Sequence, residues 1–152
     1  MKQEDKDLIL KDLCVRLPYG VKFPCNKNVY TVNGLDLIVT DEGYWEYAVT
    51  TKGIVPIEID FIKPYLFPLS SMTKEQEQEL EELGLGYYVT CQDIDDDGYM
   101  WDEKIFQMIP CTETDDWINA NHFDYRGLIE KELAIDATNL GIYGNKQHSN
   151  IK

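Results

Sequence analysis

Residues 59–83 read I-D-F-I-K-P-Y-L-F-P-L-S-S-M-T-K-E-Q-E-Q-E-L-E-E-L, and the fold turns on this stretch. Pro64 and Pro68 fix their own φ and push Lys63 and Phe67 towards extended conformations, so 63–69 is a strap rather than a helix. Tyr65, Leu66, Phe67 and Leu69 give the strap enough apolar surface to lie across a core. Thr73 is then suited to N-cap a helix, and Gln76 three residues later completes a capping box. The stretch thus separates a β-rich half from a mixed half.

Upstream, residues 4–17 predict an amphipathic helix. Leu10, Leu13, Cys14 and Leu17 fall at i, i+3, i+4 and i+7, and Ile9 widens the stripe, which makes Cys14 a buried thiol. Asp7–Lys11 and Asp12–Arg16 are i,i+4 pairs of modest worth. Pro18 and Gly20 stop the helix, and from Val21 the period changes to two. V-K-F is a short strand ended by Pro24. V-Y-T-V and L-D-L-I-V flank Asn33-Gly34, a dipeptide suited to a type I′ hairpin turn. After Asp41-Glu42-Gly43 comes a strand with Trp45, Tyr47 and Val49 on one face. Val55, Ile57, Ile59 and Phe61 then alternate with polar residues, and Pro56 marks an edge. Short strands at roughly ten-residue spacing suggest a meander curling into a small SH3-like antiparallel barrel over about 19–70.

Downstream, the helix at 74–83 has only Leu80 and Leu83 as firm apolar residues, among Glu75, Glu77, Glu79, Glu81 and Glu82. Residues 87–109 read as a second hairpin closed by Pro110. Thr114 caps a short helix over about 115–123, with Trp117, Ile118 and Ala120 facing in. Leu128, Ile129, Leu133 and Ile135 pack in a segment whose pattern fits helix or strand. The expected architecture is α+β in one domain, 1–143, with about 19–70 as the β half, 73–143 as the mixed half and 144–152 as a flexible tail.

The net charge of −14, from 14 basic and 28 acidic residues, argues against direct nucleic-acid binding, because the basic residues form no patch. An acidic surface keeps a protein soluble and attracts basic partners. No apolar run approaches 18 residues, so no membrane span is expected, and the charged N-terminus lacks the core of a signal peptide. The reading is a cytoplasmic protein. Cys14, Cys25, Cys91 and Cys111 stand far apart without a C-x-x-C pair, as reduced thiols do in that compartment.

Three phrases carry a resemblance: D-L-C-V-R-L-P-Y-G-V-K at 12–22, K-P-Y-L-F-P-L-S-S-M-T at 63–73 and H-F-D-Y-R-G-L-I at 122–129. Together they resemble small acidic proteins recurring in Bacteroidales genomes and in their phages and mobile elements. They cover about a fifth of the chain, in order across most of its length. The resemblance implies a context, an accessory protein of a phage or mobile element acting inside a bacterial cell. It implies no activity and no site residues.

Asp93-Ile94-Asp95-Asp96-Asp97-Gly98 matches D-x-D-x-D-G, in which alternate carboxylates wrap a hard cation. Asp93, Asp95 and Asp97 are the candidate metal ligands, with calcium the cofactor they would take. Lys104 stands where the bidentate acid belongs and the preceding segment is strand-like, so a solvated hairpin turn explains the same residues. Cys111 as nucleophile and His122 with Asp124, Tyr125 and Arg126 as acid–base groups would make a Cys/His-dependent enzyme, without any positional signature. Tyr44, Trp45, Tyr47, Tyr65, Phe67, Tyr87 and Tyr88 are of the type that lines a partner groove. No catalytic residue is assigned. The expected function is a non-enzymatic interaction protein with a basic protein partner, met by Glu75, Glu79, Glu82, Tyr65 and Phe67. The alternatives are a cation-binding or Cys/His enzyme, and a nucleic-acid mimic that inhibits a host DNA-binding protein.

Overall fold

The computed structural model describes residues 1–83, 86–94, 100–108 and 112–144. The chain is mixed helix and sheet with several antiparallel strands, as an α+β protein, and divides into two compact units. Met1–Ser71 and Ile118–Lys152 form the first, and Met72–Trp117 the second. The C-terminal segment therefore belongs with the N-terminal half, and the acidic helix and second hairpin stand as a unit of their own.

In the first unit, α1 (Gln3–Arg16) runs into a 3-10 turn at Leu17–Tyr19 that ends at Gly20, whose φ is +67°. Its buried residues are Ile9, Asp12, Leu13 and Arg16. The stripe expected through Leu10, Leu13, Cys14 and Leu17 is thus rotated, and Cys14 is exposed. The rotation is paid for by chemistry: Arg16 Nε donates to Asp12 Oδ2 at 2.7 Å and Arg16 Nη2 to the Phe123 carbonyl at 2.7 Å, so both charged groups are fully buried and paired.

Strands β1 (Lys22–Cys25) and β2 (Asn28–Thr31) pair antiparallel across Asn26-Lys27, both at positive φ, 48° and 67°. This is the two-residue turn that twists with its strands. The sequence assigns such a turn to Asn33-Gly34 instead, but β2 and β3 (Gly34–Val39) do not pair. Gly34 opens β3 opposite Thr50, where a Cβ would lie 2.8 Å from Thr50 Oγ1, so the glycine is there for close approach. β3 pairs with β4 (Trp45–Thr50) through Asp41-Glu42-Gly43, as expected. Thr40 N–H donates to the Tyr44 carbonyl and Gly43 N–H to the Thr40 carbonyl, with Gly43 at φ 86°. β5 (Ile57–Glu58) adds two residues before a 3-10 turn at Ile59–Phe61 breaks the expected alternation. Val55 and Phe61 point into solvent while Ile59 is buried.

The strap is β6 (Tyr65–Pro68), extended as its prolines require, and it is a central strand. β9 (Phe123–Asp124) and β10 (Ile135–Asp136) flank it, both parallel to it. The Phe67 N–H donates to the His122 carbonyl, and the N–H groups of Ile135 and Ala137 to the Pro64 and Leu66 carbonyls. Pro64 and Pro68 have no N–H to satisfy, so they cost this short sheet no hydrogen bond. The core gathers Ile9 and Leu13 of α1, Phe23, Val49, Ile62, Leu66 and Leu128. Among the described residues the sheets are of two or three strands and none closes on itself.

In the second unit, α2 (Lys74–Glu82) starts as the sequence predicts. Gln76 N–H donates to Thr73 Oγ1 at 3.2 Å and Thr73 N–H to Gln76 Oε1 at 2.9 Å. Leu80 is buried, whereas Leu83 is half exposed, so one leucine rather than two anchors the helix. β7 (Gly86–Ile94) and β8 (Met100–Met108) form the predicted antiparallel hairpin. The boundary between the units falls within α3 (Thr112–Ala120), after Trp117. Of the expected flexible tail, 144–152, all but Gly144 lies outside the described residues.

Candidate functional site

Glu75, Glu79 and Glu82, at i, i+4 and i+7 on α2, are all exposed. The Glu75 carboxyl is held below its usual range, first by its own backbone N–H and then by the Thr73 side chain at the helix start. Trp117 Nε1 donates to Glu79 Oε2 at 3.2 Å and Gln78 Nε2 to Glu82 Oε1 at 2.8 Å. The stripe is therefore an ordered row of carboxylates.

Tyr65 and Phe67, expected on the same surface, are not there. They are 9% and 3% exposed, because β6 lies between two neighbouring strands and its side chains enter the core. Phe67 packs its ring 6.3 Å from Phe123 and 5.8 Å from Tyr143. Of the candidate metal ligands, Asp93 lies on β7 opposite Trp101, while Asp95 and Asp97 lie outside the described residues, as does Cys111. Among the described residues no group of three or more His, Cys, Asp or Glu side chains is placed to hold a metal ion.

His122 is a buried residue at a positive φ of 59°, stacked on the Tyr143 ring with centroids 3.9 Å apart. Burial, then the charges of Arg16 and Lys22, pushes its imidazole down to about 3, so it is neutral at ordinary pH. Burial likewise pushes the Tyr143 phenol up, and its hydroxyl donates to the Tyr65 carbonyl and accepts from Lys22 N–H. Asp124 accepts from the backbone N–H groups of Leu128 and Ile129. Arg126 Nη2 donates to the Tyr125 hydroxyl, and its guanidinium lies 4.6 Å from that ring centre. Asp124, Tyr125 and Arg126 thus find partners within the turn between β9 and β10, whereas His122 Nδ1 is buried without a hydrogen-bond partner among the described residues. Burial makes this imidazole a weak base, and the hydrogen bonds of Asp124 to Leu128 and Ile129 give the cluster a part in building the turn.

The exposed chemistry of the first unit lies on the β3–β4 hairpin. Leu37 stands opposite Tyr47 and Val39 opposite Trp45, and the four are 48%, 46%, 56% and 70% exposed. One step inward on the same face, Leu35 stands opposite the fully buried Val49. The alternate face carries Glu46 and borders a groove of about 450 Å³ lined by Asp41, Glu42, Glu46, Glu58 and Asp60 around Lys6. Lys6 Nζ lies 2.8 Å from Asp60 and 2.6 Å from Glu46, and those hydrogen bonds, Asp60 first, raise its pKa. Trp45 and Tyr47 on one face were legible from period two. Their pairing with Leu37 and Val39 followed from the Asp41-Glu42-Gly43 turn, which sets the register. The Lys6 cluster joins residues 40 and more positions apart and had no local signal.

Compared with protein-family models, curated proteins and solved structures, the chain matches none.

Proposed function

We propose that the chain is a non-enzymatic, acidic interaction protein that binds a basic protein partner inside a bacterial cell, in the phage or mobile-element setting its three phrases imply. The observation that carries this reading is the row of Glu75, Glu79 and Glu82 on a helix anchored by Leu80 alone yet fully capped at Thr73. Such a helix is marginal by itself, and its exposed face is nearly all carboxylate. With a net charge of −14 behind it, that face attracts cationic surfaces and raises their association rate. No direct nucleic-acid contact belongs to this reading. No helix of the described residues is long and apolar enough to cross a membrane, and none is needed.

The test is affinity capture from a Bacteroidales lysate with the wild-type chain and with the Glu75→Lys, Glu79→Lys, Glu82→Lys variant. A partner released by moderate salt and lost with the variant is the expected result. A partner indifferent to both salt and charge reversal makes the row a solvated surface and ends the proposal.

A further inference from the structure

We infer that the hairpin face carrying Leu37, Val39, Trp45 and Tyr47 is a docking surface for a cationic protein segment that bears apolar side chains. The inference rests on the reading of a basic partner and gives that partner a contact in the first unit. Single exposed apolar residues are ordinary on any surface. Here four large ones form two cross-strand pairs on one face, with Trp45 at 70% exposure. The strip continues inward to Leu35 and the buried Val49, so it is fixed to the core. Tryptophan and tyrosine on a rigid strand give a large contact area for little side-chain entropy, as interface anchors do.

The surroundings select the occupant. Asp41 and Glu42 form the turn at the end of the strip, while Glu46 and Glu58 line the groove on the opposite face, where Lys6 is the one cation among the described lining residues. A second copy of this chain would bring the same carboxylates together, each chain carrying −14. An anionic lipid surface or a nucleic acid would meet the same repulsion. Strand addition at the β3 edge is blunted, because the Leu37 N–H is already taken by Asp36 Oδ1 at 2.8 Å. What fits is contact on the face: apolar side chains of the partner cover Trp45 and Tyr47, and its lysines or arginines reach the acidic turn at Asp41-Glu42.

The experiment is an NMR titration of the full chain with a short synthetic peptide of alternating lysine and leucine, beside the same peptide with glutamate for lysine. Shifts centred on 35–49 with the lysine peptide alone are expected. Affinity should fall about tenfold in the Val39→Ser, Trp45→Ser variant, whose substitutions are at exposed positions and leave the circular dichroism unchanged. The inference is overturned if that variant binds undiminished, if the glutamate peptide binds equally well, or if the free chain is a dimer that the variant dissociates. The Glu75→Lys, Glu79→Lys, Glu82→Lys chain is titrated in parallel. Binding lost only there sinks this surface and leaves the general reading standing, whereas binding indifferent to both variants sinks both.

Discussion

Replacing His122 by asparagine tests the buried polar turn at its most perturbed group. Asparagine tolerates the positive φ of 59° and does not titrate. In the folded chain the imidazole is pushed down to about 3, while its ordinary value is 6.5. The unfolded chain therefore binds the proton first. The neutral imidazole's contribution is fully present above about 6.5 and is lost as pH falls towards about 3. Between pH 6 and 4 the unfolded side chain is mostly protonated and the folded one is not, so the slope approaches about 1.4 kcal/mol per pH unit. Integrated from about pH 7 to about pH 4, the wild type loses on the order of 3 kcal/mol more than the variant. Urea unfolding of both chains across that range reads the difference directly, and carboxylates common to both cancel in the subtraction. Asparagine lowers stability at neutral pH, since it gives up the stack on Tyr143, and the two curves converge in acid. Parallel curves, or an imidazole that titrates near its ordinary value in NMR spectra of the folded chain, would refute the reasoning.

Two further perturbations address the first unit's construction. Asp12→Ala strands the Arg16 guanidinium, fully buried, and should cost about 3–5 kcal/mol; adding Arg16→Met should recover part of that loss, and a double-mutant cycle without coupling would contradict the pairing. Gly34→Ala brings a Cβ to 2.8 Å from Thr50 Oγ1 and should cost about 1 kcal/mol or more, with most of the loss relieved in a Thr50→Ala background. Equal costs in both backgrounds, by thermal or urea unfolding, would show that the close approach is not what the glycine serves.

The sequence by itself settled the features whose causes are local. Pro64 and Pro68 made 63–69 extended, Thr73 and Gln76 placed the start of α2, Asp41-Glu42-Gly43 joined β3 to β4, and the hairpin read over 87–109 and closed by Pro110 forms as β7 and β8. Each rests on dihedral limits or on hydrogen bonds within a few residues. Tertiary structure decided the rest. The buried face of α1 carries Asp12 and Arg16, because the two charges and the Phe123 carbonyl satisfy one another out of water, and a hydrophobic pattern cannot register a polar group buried by a partner 107 positions away. Asn33-Gly34 has the residues of a turn, but the turn formed at Asn26-Lys27, where the pairing of β1 with β2 outweighed lysine's reluctance for positive φ. Tyr65 and Phe67 looked like surface aromatics until β9 and β10, from more than 50 positions away, enclosed them. The candidate docking face divides the same way. Alternation placed Trp45 and Tyr47 together, and only the packed core determined that Val49 is buried beside them while they stay in water.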